Sequence, residues 1–204
     1  VPKIEPWPAI EKLSKEKEVI GIYISGHPLD DFKVEMQSFC NGDVSVFKSP
    51  KDFVNKEINV AGVITEVEHR VSRQGKGWAF FVLEDYVDSY NFRIFGEEYL
   101  RFKHFLTLNN FLHIKTKIVE GWLNKETGVR GEPRIQYTNF KLLQDVVKTF
   151  AKKLSIQLKL DDIKNEKISS IKSLLSQHDG THNLSFVVYD DKEKIMVEMD
   201  SEKQ

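Results

Sequence analysis

Residues 57–95 read EINVAGVITEVEHRVSRQGKGWAFFVLEDYVDSYNFRIF, and the spacing of their apolar side chains decides the fold. Ahead of Glu57 apolar residues recur at three- and four-residue steps. From Glu57 onward they alternate, and β-branched and aromatic residues crowd into runs divided by Gly and Asp. A period of two is the mark of a half-buried strand, so strands are expected over Glu57 to Val71, Trp78 to Asp85 and Tyr90 to Phe95. In the long first strand the alternation shifts at Gly62, where a bulge or sharp coil is expected.

Beyond Phe95 come a short helical stretch, Glu97 to Leu106, and two further strands, Phe111 to Leu123 and about Pro133 to Leu143, around the turn-like Asn124 to Gly128. Three strands, a helix, then two strands, the first strand long, is the order of a five-stranded OB-fold barrel. Upstream, residues 1–50 read as a proline-containing linker and a helical hairpin. Ser14 can cap the first helix, Gly26 and Pro28 stop it, and Asp30 can cap a second helix carrying Leu29, Phe32, Met36 and Phe39. Past residue 146, Leu154 to Leu160 alternates as a strand. A helix opened by Asp161 or Asp162 and striped by Ile163, Ile168, Ile171, Leu174 and Leu175 ends at Gly180, and Leu184 to Tyr189 with Lys194 to Met199 forms a hairpin. The expected fold is mainly β with α. Residues 1–50 form linker and helical hairpin, 51–146 the OB-fold domain, and 147–204 a β-α-β-β domain, truncated because the chain stops just after its hairpin.

Composition narrows the function. Thirty Lys and Arg against thirty-one Asp and Glu give a net charge of -1 in 204 residues, which excludes a uniformly basic nucleic-acid coat protein. The longest stretches without a charged residue are 11 residues, Val19 to Leu29 and His104 to Ile114, against the roughly 20 needed to span a bilayer. One cysteine, Cys40, permits no internal disulfide, so a cytoplasmic location is expected. The opening Val-Pro-Lys lacks an initiator Met and points to a piece of a longer chain.

Charge is also unevenly distributed. Residues 1–50 carry 6 basic and 8 acidic side chains, and residues 51–146 carry 14 and 13. Within the barrel Arg70, Arg73 and Lys76 fall in the loop between strands 1 and 2, and Lys125, Arg130 and Arg134 flank the loop between strands 4 and 5. In an OB-fold these loops border the ligand face of strands 2 and 3, so one groove is expected. If Tyr90, Phe92 and Ile94 point inward, Asn91, Arg93 and Phe95 point outward, matched by Trp78, Phe80 and Val82. Exposed rings stack bases at roughly 1–3 kcal/mol each while cations neutralise phosphates, a pattern that suits single-stranded nucleic acid. The alternative is that these rings are core, because Trp78 to Leu83 is apolar on both faces.

Catalytic patterns are lacking. The histidines His27, His69, His104, His113, His178 and His182 show no metal-ligand spacing, and capping or turn formation explains Asp30-Asp31, Asp161-Asp162 and Asp190-Asp191. Neither metal nor cofactor is expected, and no phosphate-binding Gly loop or Ser-His-Asp arrangement is visible.

The stretch Glu16-Lys17-Glu18-Val19-Ile20-Gly21-Ile22-Tyr23-Ile24-Ser25-Gly26-His27-Pro28-Leu29-Asp30 resembles a segment of the bacterial replicative DNA polymerase III alpha subunits. In that family the segment lies between the polymerase fingers and an OB domain. Val60 to Ile64, Gly75 to Phe80, Val82 to Asp85 and Arg93-Ile94-Phe95 are similar to that OB domain. The resemblance covers roughly residues 5 to 145. It implies a non-catalytic C-terminal portion of the subunit, the polymerising palm carboxylates lying far upstream. It also implies single-stranded template at the OB domain, through Arg70, Arg73, Lys76, Arg93, Lys125, Arg130 and Arg134, with stacking on Trp78, Phe80 or Phe95, and contact of the parent with the clamp-loader tau subunit and the sliding clamp. The rival expectation is a protein-protein adaptor with little DNA affinity. An anticodon-binding OB domain of a tRNA synthetase would share the barrel but leave the Gly-His-Pro segment unexplained.

Overall fold

A computed structural model describes residues 7–21, 23–178, 180 and 182–201, without the side chains of Ala9, Ile10 and Ser14. The linker expected before Trp7 lies outside this description, and Ser14 stands inside the first helix, Ala9–Ile20, and does not cap its start. The chain divides into two units, Val1–Val147 and Lys148–Gln204.

In the first unit α1 (Ala9–Ile20) begins after Pro8, earlier than the sequence pattern places it, and ends at Gly21 with φ +87, a left-handed position suited to glycine. Glu16, in the body of α1, accepts bonds from the Ile24 and Ser25 amides at 3.0 and 2.9 Å and from the Ser25 hydroxyl at 2.5 Å. The Ser25-Gly26-His27-Pro28 turn is therefore tied to the helix before it. Asp30 does not cap α2 (Lys33–Phe39). It accepts the His27 amide at 2.8 Å and the Tyr86 hydroxyl at 3.1 Å, closing the turn and clipping it to the sheet. The His27 ring lies 5.2 Å from Tyr23 and 4.3 Å from Tyr86, and burial lowers its pKa.

The sheet consists of β1 (Glu57–Val71), β2 (Gly77–Glu84), β3 (Ser89–Phe95), β4 (Phe111–Val119) and β5 (Arg134–Leu142), all antiparallel in the order β3-β2-β1-β4-β5. Helix α3 (Gly96–Phe102) follows β3. β1 is long because it serves two partners, β4 through Glu57–Val63 and β2 through Val63–Val71. The irregularity falls between Ile64 and Glu66 rather than at Gly62. Gly62 has a different role: a Cβ there would stand 2.4 Å from the Glu84 carbonyl oxygen. β4 ends at Val119, short of Leu123, and Leu123 meets Arg130 in a single bridge.

The expected strands and their order are present, whereas the expected closed barrel is not: β3 and β5 are the two edges. Side chains span the opening instead. The Tyr137 hydroxyl donates to the Arg93 carbonyl at 3.0 Å, Glu98 of α3 accepts the Tyr137 amide at 3.0 Å, and Arg101 donates to the Tyr137 carbonyl at 3.0 Å. Behind them a continuous core runs from Val44 and Phe47 through Ile64, Phe81, Phe92 and Ile114 to Phe140. Each such side chain contributes about 1.5–3 kcal/mol on burial.

Helix α4 (Leu143–Phe150) leads into the second unit, where β6 (Lys153–Lys159), α5 (Asn165–Gln177), β7 (Asn183–Asp190) and β8 (Ile195–Asp200) follow in the expected β-α-β-β order. β6 is parallel to β7, so α5 is the crossover, and β8 returns antiparallel as an edge. Asp161 and Asp162 lie in a 3-10 turn before α5 and do not open it.

Candidate nucleic-acid interface

The strand registers arrange the outer face of β1–β3 as three cross-strand rows: Glu66–Val82–Asn91, Glu68–Phe80–Arg93 and Arg70–Trp78–Phe95. Their neighbours Ala79, Phe81, Leu83, Phe92 and Ile94 are buried, so the side chains in the rows face outward. The Trp78 and Phe95 rings stack at 5.4 Å with an interplanar angle of 19°. The Arg70 guanidinium lies 5.6 Å from the Trp78 ring and 5.3 Å from the Phe80 ring. Glu68 holds it there through bonds of 2.5 and 2.9 Å, which lower the Glu68 pKa.

The hairpin that carries this surface is shaped from both ends. At its tip the Ser72 amide donates to the Lys76 carbonyl at 2.8 Å, and Gly75 takes φ +76, which projects Arg73 and Lys76 from an exposed turn. On the opposite face the His69 ring meets the Tyr99 hydroxyl at 3.2 Å and the Leu106 carbonyl at 3.1 Å. Tyr99 packs directly over Gly77, where a Cβ would stand 2.5 Å from the ring. Helix α1 meets β2 through the Lys17–Glu84 ion pair, at the other end of the strand from Trp78.

A second group forms on the β4–β5 connection. Asn124 accepts the Glu126 and Thr127 amides at 2.9 and 3.2 Å, and Gly128 takes φ +68. Trp122 is 74% exposed, with the Arg134 guanidinium 4.0 Å from its ring, while Arg130 pairs with Glu120 and Lys125 lies in the turn. Trp122 falls within the strand expected over Phe111 to Leu123, where alternation alone does not mark it as exposed. Its position beside Gly121, before a polar turn, is the signal that singles it out.

The ten candidate residues thus form two groups: Arg70, Trp78, Phe80, Arg93 and Phe95 with Arg73 and Lys76 at their hairpin tip, and Arg130, Arg134 and Lys125 on the hairpin of Trp122. The Tyr137–Arg93 bond ties the edge of the first group to the strand of the second. Arg70 and Arg130 are neutralised by Glu68 and Glu120. Among the described residues, no ion pair engages Arg73, Lys76, Arg93 or Lys125.

No group of three or more His, Cys, Asp or Glu among the described residues could hold a metal ion. Burial pushes the Cys40 thiol up to about 12, so it is not a poised nucleophile. No helix among the described residues is long and apolar enough to cross a membrane.

The family model for the DNA polymerase III alpha subunit, C-terminal domain, matches residues 154–204. Across 190 residues, 91% of this chain, the sequence is 26% identical to the DNA polymerase III subunit alpha of Buchnera aphidicola, covering 15% of that protein. It is 35% identical over 94 residues to that of Campylobacter jejuni, covering 46% of this chain and 8% of that one. The chain spans 10%, 15% and 14% of the curated relatives from Saccharopolyspora erythraea, Buchnera aphidicola and Pseudomonas fluorescens. Among solved structures, the asparaginyl-tRNA synthetase of Entamoeba histolytica aligns at TM-score 0.29 and 17% identity, over 59% of this chain and 27% of its own. Yeast Stn1 and Ten1 align at 0.26 and 13%, over 57% and 62%. Across nearly the whole sequence, and through the family match over residues 154–204, the chain is similar to a C-terminal portion of DNA polymerase III alpha subunits.

Proposed function

We propose that β1–β5 form an OB-type domain that holds single-stranded template DNA during replication, in a part of the alpha subunit that does not itself polymerise. The observation that carries this reading is the row Arg70–Trp78–Phe95, in which a cation and two stacked rings, Trp78 half-buried and Phe95 exposed, lie side by side on three adjacent strands. Bases stack on exposed rings regardless of sequence, and nearby cations take the phosphates. Phe80 and Arg93 extend the surface, Arg73 and Lys76 overhang it, and Trp122 with Lys125, Arg130 and Arg134 offers a second step. Fluorescence anisotropy with a labelled oligonucleotide tests the reading. Trp78→Ala and the triple change of Arg70, Arg73 and Lys76 to Ala should each weaken binding, and affinity indifferent to both would sink it.

The adaptor reading also has an observation in its favour. Glu66 and Glu68 share the outer face with the aromatic rows, so the surface is not uniformly attractive to phosphate. In that reading the chain docks the clamp-loader tau subunit or the sliding clamp. Immobilised full chain retaining purified tau subunit or clamp, with no affinity for the oligonucleotide, would favour it.

A further inference from the structure

We propose that two copies of the chain associate through β8, joining their three-stranded sheets into one continuous six-stranded sheet about a two-fold axis at Val197. Among the described residues β8 is an edge, and Ile195, Met196, Val197 and Met199 are all 49–70% exposed. The Ser201 amide bonds to the Leu184 carbonyl, so the backbone groups of Met199, Val197 and Ile195 turn toward β7. Those of Met196, Glu198 and Asp200 therefore point away from β7 and offer a ladder to a further strand.

The sequence of β8 selects its own antiparallel partner and one register. Centred on Val197, Ile195 faces Met199 of the other copy and Val197 faces itself. Met196 and Glu198 exchange backbone bonds with their symmetry mates, and Lys194 stands opposite Asp200 twice, joining the Lys153 that bonds Asp200 at 2.8 Å within its own copy. No ion pair among the described residues engages Lys194 within one copy. Centring on Glu198 would oppose two like charges, and centring on Met196 would pair only three strand residues. The chosen register also brings the two uncovered apolar strips of Ile195, Val197 and Met199 together. Within each copy that strip continues into the apolar groove of about 460 Å³ beneath α5, where Met199 lines the wall with Phe186 and Val188. An isologous contact of this kind closes at two copies and leaves no growing end.

Light scattering on the full chain during size exclusion, from low to high micromolar loading, should show a shift from 23.7 kDa to twice that mass. Met196→Pro removes an amide that points away from β7, so the fold should survive while dimer affinity falls at least tenfold. Lys194→Glu should weaken the dimer and Lys194→Glu with Asp200→Lys restore it. Opposed Val197 residues would have Cα atoms about 4.5 Å apart, within disulfide range, so Val197→Cys in a Cys40→Ser background should crosslink on mild oxidation. A chain monomeric at every loading overturns the proposal. So does a dimer that ignores Met196→Pro and fails to crosslink in the Val197→Cys variant.

Discussion

A base that stacks on Trp78 must share the ring with Arg70, whose guanidinium lies 5.6 Å from it in the grip of Glu68. The Glu68 carboxylate thus cancels the nearest cation and repels the incoming phosphate. Glu68→Gln keeps the shape and removes the charge, and oligonucleotide affinity measured by anisotropy at low salt should rise roughly threefold or more. Arg70→Ala added to this variant should abolish the gain. The tyrosines beside His27 offer a test independent of DNA. Burial first, then the Glu84 carboxylate, push Tyr23 up to about 12, and burial first, then the bond to Asp30, do the same for Tyr86. A folded-state value above the free value of 10.0 means that the stability gained is complete below pH 10 and lost as pH rises through 12. Phenolate absorbance should therefore show a late component near pH 12, diminished separately by Tyr23→Phe and Tyr86→Phe.

At the scale of elements, two positions carry constraints that no strand pattern reveals. A methyl on Gly62 would meet the Glu84 carbonyl at 2.4 Å in the middle of two paired strands, so Gly62→Ala should cost about 1–3 kcal/mol, read as a lower urea midpoint. Tyr137→Phe leaves the Arg93 carbonyl without its phenolic donor across the open side of the sheet, at a cost of about 1–2 kcal/mol and with faster amide exchange in β3. These positions also mark the boundary of what the sequence discloses. Period-two alternation is local, so the strands, their order and the outward facing of Trp78, Phe80, Arg93 and Phe95 are legible in it. The irregularity after Ile64 depends on where β1 exchanges β4 for β2, and the side-chain bridge at the opening joins residues 44 apart. Asp30 likewise bonds to Tyr86, 56 residues away, in preference to capping the adjacent helix. Such pairings are decided by the assembled sheet, and no spacing along the chain encodes them.

For the whole molecule, the net charge of -1 conceals which cations are available. Local pairing separates them: Arg70 and Arg130 are occupied by Glu68 and Glu120, whereas Arg73, Lys76, Arg93 and Lys125 have no ion-pair partner among the described residues. If those four alone take phosphates, the logarithm of the binding constant should fall with the logarithm of salt at a slope of about −2.8, from roughly −0.7 per phosphate on a single strand. Raising salt fourfold would then weaken binding about 50-fold. The same titration on Glu68→Gln should steepen the slope by about 0.7 as Arg70 joins the contact. A slope near zero would mean that the strand does not meet these side chains. A slope of about −4.9 would mean that Arg70 and Arg130 release their carboxylates and Arg134 leaves the Trp122 ring on binding, so that these surface contacts are part of the binding equilibrium.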